Sequence, residues 1–132
     1  MNNTELIKLA IEAKKHAHVP FSNYKVGAIL VTKNGKIYEG ANMEWVSCGM
    51  TICAERVALV KALYDGEKEF EKIVLVGGNG DELTYTTPCG VCRQFLSDFG
   101  TEIEVVTGYM EENKIEEKVF KLKDLLPETY VF

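Results

Sequence analysis

No apolar run in this chain approaches the length needed to span a bilayer. The stretch from Met1 to Lys15 is polar and periodic, without the unbroken apolar core of a signal peptide. Both absences lead to the expectation of a soluble, cytoplasmic protein. Basic clusters are missing too: fifteen Lys and Arg are dispersed among twenty Asp and Glu, for a formal net charge of -5. A protein that grips a phosphate backbone shows a basic face, so a nucleic-acid polymer is disfavoured and a small, weakly charged ligand is expected. Repeats, low-complexity tracts and linkers are also absent, and residues 1–132 read as one domain. Cysteine is scarce but clustered, as Cys48, Cys53, Cys89 and Cys92. At 132 residues a core can be buried without disulfides or metal. In a reducing compartment, clustered thiols therefore point to metal binding or catalysis before cross-linking.

What is present is a regular alternation of patterns. Leu6, Ala10, Ala13 and Ala17 recur at three- and four-residue spacing, which predicts an amphipathic helix over about 4–18, capped by Asn3 or Thr4 and ended by Pro20. Two apolar runs, 25–33 and 36–41, flank Asn34-Gly35, a strong hairpin signal. Ala54, Val57, Ala58, Lys61 and Ala62 read as the inner face of a buried helix ending near Gly66. Ile73-Val74-Leu75-Val76 reads as a strand covered on both faces. A helix over 89–99, strands over 102–107 and 117–122, and a helical turn at 124–126 complete the pattern. The order α-β-β-α-β-α-β-β predicts one mixed sheet between helices.

Two fragments carry chemistry: Cys53-Ala54-Glu55 and Pro88-Cys89-Gly90-Val91-Cys92. Each falls where a helix is expected to begin. Cys89 and Cys92 lie one turn apart, so both sulfurs project to one side. If the two helix starts meet, three thiolates converge and one tetrahedral position stays open, the pattern of a catalytic zinc site. Backbone N–H groups at the helix starts would help carry the thiolate charge. Three thiolates on Zn2+ sum to -1, which weakens the metal as an acid. Arg56 and Arg93 each follow a site residue, and Arg56 is the favoured partner of the sulfurs. Glu55, two residues from Cys53, is placed to move protons without binding the metal.

These fragments, with Arg93-Gln94 after the second, resemble the zinc-dependent cytidine deaminases in their three-cysteine, small homotetrameric form. The similarity runs from Pro20-Phe21-Ser22-Asn23-Tyr24-Lys25-Val26-Gly27-Ala28 to Leu125-Leu126-Pro127. It implies an α/β fold: a three-layer α/β/α sandwich around a mixed five-stranded sheet, with zinc at two adjoining helix starts. It implies hydrolysis of the amine from cytidine or 2′-deoxycytidine, with Glu55 protonating N3 of the ring. It implies that Asn42 and Glu44 bind the ribose hydroxyls and that Ala54, through its backbone, and Cys89 read the pyrimidine edge. Tyr24 stands where the family has a phenylalanine stacking near the pyrimidine, and Tyr130 resembles an aromatic that enters a neighbouring subunit's pocket. Sites shared between subunits of a homotetramer follow from the same resemblance.

Departures and rivals sit beside it. Trp45-Val46-Ser47-Cys48-Gly49 replaces a segment that in the family runs Asn, small residues and Tyr. The ending Tyr130-Val131-Phe132 is also similar to that of blasticidin S deaminases, whereas Asn42-Met43-Glu44 keeps the ribose-binding pair. Cys89-x-x-Cys92 alone would suit a redox pair or half of a structural zinc site, and a non-enzymatic zinc-stabilised module is the rival from another class. Cys48 reads as a buried small hydrophobe rather than a fourth ligand, which would close the site.

Overall fold

The structure is a computed structural model describing residues 1–132. Its elements follow the order α1 (Asn3–Lys14), β1 (Tyr24–Thr32), β2 (Ile37–Ala41), α2 (Ala54–Tyr64), β3 (Phe70–Asn79), α3 (Gly90–Ser97), β4 (Glu104–Glu111), β5 (Lys114–Lys121) and α4 (Leu122–Leu125). A single 3-10 turn, Cys48–Met50, interrupts the path from β2 to α2. The strands form one sheet in the order β2-β1-β3-β4-β5. Only β3 and β4 pair in parallel, and α3 is the crossover between them; the other neighbours are antiparallel. No helix is long and apolar enough to cross a membrane.

Side-chain alternation along the strands creates the three layers. Ala28 and Leu30 of β1, Ile73 and Leu75 of β3 and Val105 of β4 face one core with Ala54, Ala58, Leu59 and Ala62 of α2 and Leu96 of α3. Their neighbours Ile29, Val31, Val74, Val76 and Val106 face the other core, against Leu6, Ile7, Ala10 and Ala13 of α1. The continuous apolar run in β3 is therefore filled from both sides, as the sequence requires. β5 is the opposite case, an edge strand that is almost wholly exposed and rich in Lys and Glu. Charges along such an edge discourage pairing with another sheet.

Two glycines set how closely the helices approach. A Cβ at Gly27 would lie 2.1 Å from the Ala10 carbonyl oxygen, and one at Gly40 would lie 2.2 Å from that of Ala54. The second contact seats the first turn of α2 directly on β2.

Several boundaries differ from the sequence reading. The cap of α1 is Asn2, whose Oδ1 accepts from the Glu5 N–H at 2.9 Å, so Asn3 and Thr4 are already helical. The helix ends at Lys14, well before Pro20. Lys15, His16 and Ala17 donate three residues back, a tightened last turn, and His18 then donates to Asn42 O at 2.9 Å. Lys61 is exposed rather than buried, and its Nζ reaches Glu39 O at 2.6 Å. The β4–β5 hairpin is longer than expected because Glu112 and Asn113 both adopt positive φ, 50° and 63°, and turn the chain in two residues. Cys48 is exposed, not buried. It sits in an exposed turn with Val46 and Met50, where no core is available to it.

Candidate zinc centre

α2 and α3 begin on the same side of the sheet, and each is preceded by a cysteine in extended conformation: Cys53 caps α2 and Cys89 caps α3. Cys92 lies in the first turn of α3 and is fully buried. The sulfurs of Cys53 and Cys89 are 3.5 Å apart, those of Cys89 and Cys92 3.5 Å, and all three lie within 4.8 Å of one another. Thiolates about 2.3 Å from a tetrahedral zinc stand about 3.8 Å from each other. The three sulfurs fit one such ion, and Cys48 is outside their cluster. The two helix starts meet, the condition on which convergence of the three sulfurs depended.

The charges around the sulfurs are arranged for that ion. Arg56 donates through Nη2 to Cys53 Sγ at 3.6 Å and to Thr51 O at 2.9 Å. Its Nε is buried with no partner. The cation stands where the net negative charge of a three-thiolate zinc site needs an offset. Cys53 is drawn well below the usual thiol range, first by its hydrogen bond with Cys92 and then by Arg56 and Cys89. Cys92 is pushed the other way, by the same bond and by burial. Glu55 is 4% exposed. Burial is the main cause that raises its carboxyl to about 7, with repulsion from Cys53 adding to it and a hydrogen bond with Cys92 opposing. A carboxyl that titrates near neutrality beside three sulfurs can both take up and release a proton at working pH.

The matches with known proteins agree with this geometry. The sequence model described as the cytidine and deoxycytidylate deaminase zinc-binding region matches residues 1–109. This chain belongs to that family. A probable cytidine deaminase from Dictyostelium discoideum is 42% identical over 125 residues, covering 92% of this chain and 83% of that protein. A crystal structure of cytidine deaminase from Burkholderia pseudomallei superposes with a TM-score of 0.88 at 40% identity, covering 98% of this chain and 100% of the other. A blasticidin-S deaminase from Bacillus cereus is 32% identical over 124 residues, with 88% and 83% coverage. The deaminase family fold is the α/β sandwich with a five-stranded sheet seen here, its cofactor is Zn2+, and the chain is a hydrolytic enzyme.

Of the other expected site residues, Asn42 and Glu44 flank Met43, which pairs with Ile52 immediately before Cys53. Asn42 is 9% exposed; its Oδ1 accepts from the Val26 N–H at 2.8 Å and its Nδ2 donates to Tyr24 O at 2.9 Å. Glu44 Oε1 accepts from the Phe21 and Ser22 N–H groups at 3.1 and 3.0 Å, and Oε2 accepts from Ser22 Oγ at 2.5 Å. The Tyr24 hydroxyl bonds Thr84 Oγ1 at 2.8 Å and also Thr86 Oγ1. Ala54 is fully buried in the first turn of α2. Tyr130 is exposed, and its carbonyl accepts from Gln94 Nε2 of α3 at 3.1 Å. The sequence reading did not single out Thr84 and Thr86, since hydroxyls in a loop carry no spacing signal.

Proposed function

We propose that this deaminase hydrolyses cytidine and 2′-deoxycytidine to the corresponding uridines and ammonia. The observation that carries the reading is Glu55, buried and held near neutrality beside the three-cysteine cluster of a chain in this family. Cys53, Cys89 and Cys92 would hold the zinc, which when bound would supply a Lewis acid that makes water easier to deprotonate. Glu55 would take one proton of the attacking water and deliver it to N3 of the pyrimidine, then take the second, from the hydroxyl added at C4 as the carbonyl forms, and pass it to the departing amine. The Ala54 backbone and Cys89 meet the pyrimidine edge.

Asn42 and Glu44 bind the ribose hydroxyls in this reading. Glu44 has accepted three hydrogen bonds and keeps lone-pair capacity for one more; Asn42 keeps its second N–H and second lone pair. The Tyr24 ring flanks the base. Tyr130 reaches the pocket of a neighbouring subunit in a homotetramer with one zinc per subunit. The exposure of Tyr130, Val131 and Phe132, and of Trp45, Val46 and Met50 in the loop before α2, supports the shared site. Nucleoside salvage by a single-domain cytoplasmic enzyme is the biological role that goes with this chemistry.

The test is an ultraviolet assay of the zinc-loaded protein with cytidine, deoxycytidine and blasticidin S as parallel substrates, repeated with Glu55→Gln. Cytidine and deoxycytidine should be consumed faster than blasticidin S, and Glu55→Gln should keep its zinc while losing about 10²–10⁴-fold in kcat. Turnover of blasticidin S alone, or a fully active Glu55→Gln, would defeat the reading.

A further inference from the structure

Among the three cysteines, Cys89 is the exposed one; Cys92 is buried and Cys53 half-buried. Its side chain makes no capping bond to α3. Packing therefore does little to place it, and the backbone on either side must do so. That backbone is gripped by one residue, Arg93, a turn further along α3. The Arg93 N–H donates to Cys89 O at 3.0 Å. Its Nε donates to Pro88 O at 2.7 Å, and its Nη2 to Thr87 Oγ1 at 3.2 Å. The side chain thus holds residues 87 and 88, directly before Cys89, while the backbone bond to Cys89 O is the ordinary first-turn bond of α3. The remaining arm, Nη1, donates to Leu125 O at 2.8 Å, at the end of α4.

We propose that Arg93 is a positioning residue of the zinc centre: it clamps the 87–89 turn between α3 and α4 so that Cys89 stays on the metal. Its guanidinium makes no hydrogen bond to a sulfur, in contrast to Arg56, so the two arginines divide the work. Arg56 offsets charge and Arg93 fixes geometry. Only a planar fork of five N–H donors serves three acceptors in three directions at once; the single ammonium of a lysine cannot. The proposal rests on the three-cysteine zinc site and not on the identity of the substrate.

The experiment uses the full zinc-loaded chain as wild type, Arg93→Met and Arg93→Lys. Zinc release to a chromogenic chelator and the thiolate-to-cobalt charge-transfer band of the cobalt-substituted protein are the readouts, with melting of the metal-free protein as control. Arg93→Met should lose zinc about 10-fold faster or more and shift the cobalt band. Arg93→Lys, able to hold one carbonyl, should recover part of both. A folded Arg93→Met with wild-type release and an unchanged band overturns the proposal, as does a change no larger than the melting of the metal-free protein explains. If Arg93→Met does not fold, Arg93→Lys decides by the same two outcomes. Cytidine turnover by the wild type is measured separately, so failure of the substrate reading and failure of the clamp are told apart.

Discussion

Replacing Asn42 with alanine tests whether this side chain is built into the fold before it meets any ligand. The amide joins the turn after β2 to the start of β1, taking the Val26 N–H and giving to Tyr24 O. Alanine removes both partners at once. Each backbone group left without a partner costs about 1–3 kcal/mol when buried. Both bonds are only part-buried and water can reach one side, so the lower end applies, a total of about 2–3 kcal/mol. For a chain of this length each kcal/mol is worth about 3–5 °C, so Asn42→Ala should melt roughly 6–15 °C lower. Asn42→Asp keeps the acceptor for Val26 but turns a second oxygen toward Tyr24 O, and should recover only part of the loss. Scanning calorimetry of the zinc-loaded proteins measures this, alongside KM for cytidine. A ribose contact with no structural duty predicts raised KM at unchanged melting temperature. Melting within about 2 °C of wild type would refute the reasoning.

Tyr24→Phe removes a hydroxyl shared with Thr84 and Thr86 while keeping the ring. Urea unfolding should show a loss of about 0.5–1.5 kcal/mol with KM unchanged; a KM raised severalfold at full stability would mean that the hydroxyl touches substrate instead. Glu44 gives a pH signature. Ser22, through its hydroxyl and then its N–H, and the Phe21 N–H hold the carboxyl below its usual range, with His18 contributing slightly. A depressed folded value means that the stabilisation is present above the unfolded value, about 4.3, and is lost as pH falls through the folded one. The gap in urea midpoint between wild type and Glu44→Gln should therefore be widest near neutrality and shrink in acid; a gap independent of pH would contradict this.

The sequence was most informative where spacing alone fixes geometry. Cys89 and Cys92, one turn apart, and Cys53-Ala54-Glu55 at a helix start marked the fragments that matter, while the joining of Cys53 to the other two depends on α2 and α3 beginning side by side. The apolar run 73–76 likewise announced a central strand, and Asn34-Gly35 a hairpin. Legibility failed where tertiary contacts override local preference. The Ala17 position continues the stripe of α1, yet the helix stops at Lys14, and the chain passes through a tightened turn to the bond from His18 N–H to Asn42 O. The charged residues of β5 lack the apolar pattern of a strand because they lie at an exposed edge. The amide of Asn42 was expected to bind ribose only through resemblance; that it laces two segments together depends on distances no spacing encodes. Arg93 was visible as a cation beside Cys92, but its side-chain partners come from two separate stretches of chain, Thr87-Pro88 and Leu125.

Gly40 contributes no atom to the reaction, yet it works as the gauge against which α2 is set. With the Ala54 carbonyl only 2.2 Å from where a Cβ would stand, even one methyl group must lift the start of that helix. Cys53 and Glu55 ride on that same start, so the lift would tilt a sulfur and a carboxyl together, away from the pair on α3. A silent position on an outer strand thereby holds a veto over the chemistry, and variation there would be read as loss of turnover long before it showed as loss of fold.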